Sequence, residues 1–208
     1  MKDVLDEALT AISDVREDIA ADVGGITSCR IRALLNFLAR HLPPDEAYLE
    51  VGIHIGGTLI SALDGNRSVR AYACDDWSYT YSSHGNPKDV FLSNLGRHRD
   101  RLPNITVIES DAFRMLEGAP FDRPIGAYFY DGGHSEDQQR LAVVKAAPHL
   151  ARESFMVVDD FGWAPVSNGT WAGILEVGFR GVHFKAFLPE DADDKRWNNG
   201  IGIFHLSK

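Results

Sequence analysis

Two stretches of this sequence run apolar and then stop on carboxylates. In YFYDGGHSEDQ, residues 128–138, the run ends at Asp131 and two glycines deliver His134. In FMVVDDFGW, residues 155–163, it ends at Asp159 and Asp160. Three carboxylates brought together repel one another unless a cation joins them. Oxygen ligation selects a hard ion, Mg²⁺ first, which keeps water or substrate oxygens in its shell. A neutral imidazole nearby can take a proton that such an ion has loosened. The chemistry available is therefore removal of a hydroxyl proton, with Asp131, Asp159 and Asp160 as metal ligands and His134 as the base. A plainer reading stands beside it: Asp131 capping a turn, His134 on an exposed loop, and Asp159–Asp160 opening a solvated one.

Positioning these groups falls to alternating elements. AYLEVG, SVRAYACD, NITVIES, PIGAYFYD and SFMVVDD read as strands. CRIRALLNFLARHL, TLISAL, DVFLSNLGRHRDRL and DAFRMLEGA read as helices between or before them. Ser135 with Gln138 three residues on forms a capping box that opens a further helix through Leu141, Val144 and Ala147. GILEVGF supplies a late helix, and VHFKAFL and GIGIFHL two late strands. Before all of these, Val4, Leu5, Ala8, Leu9, Ile12 and Val15 predict an amphipathic helix over residues 2–22. Ser28 or Thr27 is placed to cap the next helix, and Pro43–Pro44 to stop it. Alternation of this kind implies an α/β fold: a Rossmann-like, seven-stranded, mostly parallel sheet with helices on both faces. Residues 1–45 read as an N-terminal helical cap and 46–208 as the main globular unit. In such sheets ligands bind beyond the carboxyl ends of the strands, where Gly52, Asp75, Asp111, Asp131 and Asp159 all fall.

The first strand end is itself informative. YLEVGIHIGGT places Glu50 before Gly52, Gly56 and Gly57, where backbone and a helix start can approach a ligand closely. The dinucleotide pattern needs glycine at 54, and His54 stands there, so a pyrophosphate is disfavoured. Glu50 suits a cationic group. Asp75, or its neighbour Asp76, ends the second strand where an acid commonly accepts from ribose hydroxyls, with Trp77 as an aromatic wall. Asp111 follows the third strand and is placed either to meet an adenine amino group or to cap a helix.

YLEVGIHIGGT, AYACDDW, VIESDAF, YFYDGGHSEDQ and FMVVDDFGW, in this order, resemble class I S-adenosylmethionine-dependent methyltransferases. More narrowly they resemble the bacterial O-methyltransferases that include macrocin- and mycinamicin-type sugar methyltransferases and CmcI-like proteins. The resemblance spans about residues 25–165. It implies S-adenosylmethionine held by Glu50, Gly52, Ile53, Gly56, Asp75, Asp76, Trp77, Asp111, Ala112 and Asp131. It further implies a divalent metal on Asp131, Asp159 and Asp160, and His134 removing the acceptor's proton. The expected substrate is a small hydroxylated molecule, a sugar or natural product.

Composition narrows the partners. A net charge of −9, with basic residues scattered, argues against a nucleic-acid surface. No apolar run reaches the roughly 20 residues of a membrane span, and the acidic N-terminus is unlike a signal peptide. Cys29 and Cys74 lack metal-ligand spacing and read as buried thiols, so a cytoplasmic setting is expected. Trp163, Trp171 and Trp197 are candidate walls of a substrate pocket, though aromatics at such positions more often belong to a core. Rival readings are a metal-independent methyltransferase, a nicotinamide-dependent dehydrogenase, a metallophosphoesterase and a non-catalytic binding module. Homo-oligomerisation is left open.

Overall fold

In the computed structural model, residues 6–7, 9–10, 12, 20–79, 85–118, 121–191 and 194–208 are described. The strands are β1 (Ala47–Val51), β2 (Arg70–Asp75), β3 (Ile105–Glu109), β4 (Ile125–Tyr130), β5 (Leu150–Asp159), β6 (Gly181–Phe187) and β7 (Ile201–Ser207). They form one sheet in the order β3-β2-β1-β4-β5-β7-β6. The first five are parallel, and β7 runs antiparallel between β5 and β6. The mostly parallel, seven-stranded Rossmann-like architecture expected from the alternation is therefore present. Residues 2–5, 8, 11 and 13–19 of the expected first helix lie outside the described residues, while residues 6, 7, 9, 10 and 12 are helical.

Side chains alternate between two cores along each strand, as the period of two requires. Ala127 and Phe129 of β4 join the layer under α1 (Cys29–Arg40) and α2 (Gly57–Leu63), with Ile31, Leu34, Leu35, Leu59, Ile60 and Leu63. Tyr128 and Tyr130 face the opposite layer with Val143 of α5 (Glu136–Ala146) and Val166 and Ile174 of α6 (Ala164–Val177). Burying strands on both faces explains their unbroken apolar runs.

Two local outcomes matter for the site. α1 is capped by Ser28, not Thr27: its side chain accepts from the Ile31 amide at 3.2 Å. α6 begins well before GILEVGF, at Ala164, through a stretch whose composition reads as loop. Gly169 and Gly173 explain it, since a Cβ at either would collide with α5 at Glu136, Gln139, Arg140 or Val143. Close packing against α5 thus overrides weak local propensity, and it fixes the helix that follows Asp159–Asp160.

Strand register levels the chemistry. Val51 pairs with both Cys74 and Tyr130, and Tyr130 pairs with Val158. The next residues, Gly52, Asp75, Asp131 and Asp159, therefore emerge along one edge. Gly52 has φ +89°, and a Cβ there would overlap the carbonyl oxygen of Asp131, so only glycine lets β1 and β4 exit together.

Candidate active site

Beyond that edge lies a crevice of about 610 Å³. Its wall includes Gly52, Ile53, Asp75, Asp76, Asp111, Ala112, Asp131, His134, Asp159 and Asp160. Gly25–Thr27 and Asn198–Asn199 close it from outside the sheet. Glu50, Gly56 and Trp77, expected to touch a ligand, do not line it. Glu50 is fully buried and takes hydrogen bonds from the Tyr48 hydroxyl at 2.7 Å and the Thr58 hydroxyl at 2.6 Å. Burial raises its carboxyl to about 7, against the lowering effect of those hydroxyls. Gly56 is the left-handed N-cap of α2, closed over by the Phe91 ring. Trp77 turns into the core, its ring 5.7 Å from that of Phe91 on α3 (Pro87–His98), so the expected aromatic wall is absent at that residue.

The remaining acids at this end are anchored. Asp75 accepts from the His54 amide and the Trp77 amide, both at 2.7 Å. His54 and Trp77 have φ +50° and +49°, so Asp75 holds two residues in the left-handed region. The backbone at position 54 does require positive φ, and histidine tolerates it better than most residues. Asp76 is exposed, and its hydrogen bonds to Ser78 lower its pKa. Asp111 caps the short helix α4 (Ala112–Glu117), accepting from Phe113 and Arg114 at 3.0 Å, and also lines the crevice.

At the other end, carboxylates face one another. Asp131, His134 and Asp160 present ligand atoms that all lie within 4.8 Å of one another. His134 Nε2 is 3.0 Å from Asp160 Oδ2, and Asn199 Nδ2 donates to Asp160 Oδ1 at 2.7 Å. Asp160 has φ +54°, a left-handed turn just after β5 that aims its side chain here. Of the three expected ligands, Asp131 and Asp160 thus come together, with His134 in reach of both. Asp159 is the buried last residue of β5 and accepts from the Asp160 amide at 3.0 Å, although it lines the same crevice.

The electrostatics follow from crowding. Burial, then the Asp159 and Asp160 charges, push Asp131 well above the carboxylate range. Burial, then Asp160, raise Asp159 to about 7. The hydrogen bond to Asp160 raises His134 above the ordinary histidine value. The two aspartates at this spacing fit a divalent ion, which would relieve the repulsion, and the imidazole lies beside them.

Sequence reasoning missed Asn199, and local pattern offers no signal for it, since its partner is a loop residue on another strand end. Of the three tryptophans, only Trp163 lines the crevice, edge-on to His134 with ring centroids 5.1 Å apart. Trp171 packs on Phe184 and Phe204, and Trp197 stacks on Phe187. Cys74 lies in the crevice floor, where burial raises its thiol to about 12, leaving it inert as a nucleophile.

A family model described as a methyltransferase domain matches residues 49–161. The fold is similar to an O-methyltransferase from Bacillus cereus solved in complex with S-adenosylhomocysteine. That match has a TM-score of 0.61 and 14% identity, over 99% of this chain and 91% of that one. TomG from Streptomyces achromogenes, an O-methyltransferase of tomaymycin synthesis solved with S-adenosylmethionine, matches with TM-score 0.62 and 17% identity, over 99% and 90%. The precorrin-6y C5,15-methyltransferase of Geobacter metallireducens matches with TM-score 0.62 and 16% identity, over 91% and 95%. No curated protein matches in sequence. Among the described residues no helix is long and apolar enough to cross a membrane.

Proposed function

This chain belongs to the methyltransferase-domain family, and we propose that it is an S-adenosylmethionine-dependent O-methyltransferase acting on a hydroxyl of a small molecule. The observation that carries this reading is the convergence of Asp131, His134 and Asp160 at one end of the crevice that the first three strand ends line. The first turn, Asp75 or Asp76 and Asp111 form the nucleoside end. Gly52 and Ile53 offer backbone to the amino-acid portion of the cofactor. When bound, S-adenosylmethionine supplies the methyl group.

His134 is the base in this reading. Its pairing with Asp160 orients the ring and strengthens it as a proton acceptor, and Asn199 fixes Asp160 in turn. Asp131 and Asp160 would hold Mg²⁺, which when bound lowers the pKa of the acceptor hydroxyl, and His134 stands beside the ion as the base and not as a ligand. The protein's further contribution is alignment of acceptor oxygen, methyl carbon and sulfur in one line. Glu50 acts through Thr58 and Tyr48 on the first turn and not by touching the cofactor. The DGGH and VVDD strand ends support placement in the metal-dependent macrocin-type and CmcI-like group. Gly25–Thr27 on the crevice wall support a capping role for residues 1–45.

Calorimetric titration with S-adenosylmethionine, with and without Mg²⁺, tests the reading. Saturable binding is expected in both, and absence of heat in both overturns it.

A further inference from the structure

The crevice carries a second message, about the acceptor. Six aspartates line it, Asp75, Asp76, Asp111, Asp131, Asp159 and Asp160, and among its described lining residues there is no lysine or arginine. Two cations on flanking elements, Lys88 and Arg196, are engaged elsewhere. Lys88 pairs with Glu109 at 2.6 Å, and Arg196 with Asp194 and Glu190, each at 2.9 Å. His134 faces Asp160. A phosphate or carboxylate on the acceptor would thus lose its water among aspartates with no lysine or arginine of the described lining to answer it, a cost that desolvation makes steep. A divalent ion on Asp131 and Asp160 cancels two of the six formal charges and leaves the others.

The same crevice has an apolar rim. Ile26, Tyr79 and Trp163 are among the few large hydrophobic side chains that the fold leaves exposed, at 67%, 67% and 45%, and all three line it. Trp163 stands edge-on to His134, so an apolar ring laid on its free face would carry a hydroxyl toward that imidazole. Exposed aromatic surface gathered at one opening marks a binding surface more than a chance arrangement.

We infer that the acceptor is a neutral or cationic molecule with an apolar ring beside its hydroxyl, seated against Trp163, and that anionic acceptors are excluded. The inference rests on the proposed methyl-transfer reading of the crevice.

Its test is saturation-transfer NMR on the S-adenosylhomocysteine-loaded protein with three phenols of one shape: tyramine, para-propylphenol and para-hydroxyphenylpropionate. Binding of S-adenosylhomocysteine, measured first, stands or falls with the methyltransferase reading and separates its failure from failure of this inference. Strong transfer to tyramine and para-propylphenol is expected, with affinity for the propionate roughly ten-fold weaker or worse. Trp163→Ala should erase the two signals while S-adenosylhomocysteine still binds. Transfer to the propionate equal to the others, no transfer to any of the three, or signals indifferent to Trp163→Ala would each overturn the inference.

Discussion

The two ends of the crevice treat their acids in opposite ways. At the first-turn end each carboxylate is matched inside the protein: Glu50 by Tyr48 and Thr58, Asp75 by the His54 and Trp77 amides, Asp111 by the start of α4. At the far end Asp131, Asp159 and Asp160 crowd together, answered among the described residues by His134, Asn199 and the Asp160 amide. Matched acids hold the fold, and unmatched ones store a repulsion that a cation or proton must relieve. An acid at a strand end is thus a functional candidate when its partners are missing, not simply because it is there.

Removing acids from the two ends should sharpen this contrast, and the largest effect is expected at Glu50. Glu50→Ala strands a buried tyrosine and threonine hydroxyl and opens a cavity, costing about 3 kcal/mol in urea unfolding. Asp131→Asn, by contrast, should leave the metal-free protein as stable as the parent at neutral pH or more so. A comparable loss in both variants would erase the distinction between the ends.

Mg²⁺ should act at one end only. At a hundred times its dissociation constant it is expected to stabilise the parent by about 2.7 kcal/mol, read as a rise in melting temperature. Asp131→Asn should abolish that rise, whereas Asp111→Ala should keep it while losing about 1 kcal/mol through the lost cap.

A pH series carries an effect of similar size. Glu50 has a folded pKa raised to about 7, so the fold bears no ionisation cost below about pH 4.5. That cost enters as pH rises toward about 7, because the unfolded chain gives up the proton earlier. Stability should therefore decline across this window, by an amount on the order of 3 kcal/mol from Glu50 alone. Glu50→Gln should flatten the decline, measured by urea unfolding at each pH.

The smallest effect expected is at Asn199. Asn199→Ala frees Asp160 to swing and should weaken Mg²⁺ binding several-fold, with little change in melting temperature. An unchanged affinity would remove Asn199 from the site.

Much of this was legible in the sequence because strand ends announce themselves. The apolar runs into Asp131 and Asp159 and the Ser135–Gln138 capping box translate directly into the sheet edge and α5. Side-chain direction was less legible. Position 77 reads as a wall beside the acids, yet its ring is buried against Phe91, an outcome decided by the helix Pro87–His98 that follows it. That Asp160 and not Asp159 faces His134 depends on the left-handed turn at Asp160, which no periodicity records. Asn199 reaches Asp160 only because β7 is inserted antiparallel beside β5, a contact of topology and not of spacing. The early start of α6 was hidden for a related reason: its glycines serve contact with α5 and look like loop residues on their own.

The central claim is that Asp131 and Asp160 bind one cation and that His134 beside them accepts the proton. Calorimetric titration of Mg²⁺ into the S-adenosylmethionine-loaded parent and into Asp131→Asn tests it most directly. The account predicts one saturable site in the parent and none in the variant. Equal binding in both, or no binding in the parent, would contradict it.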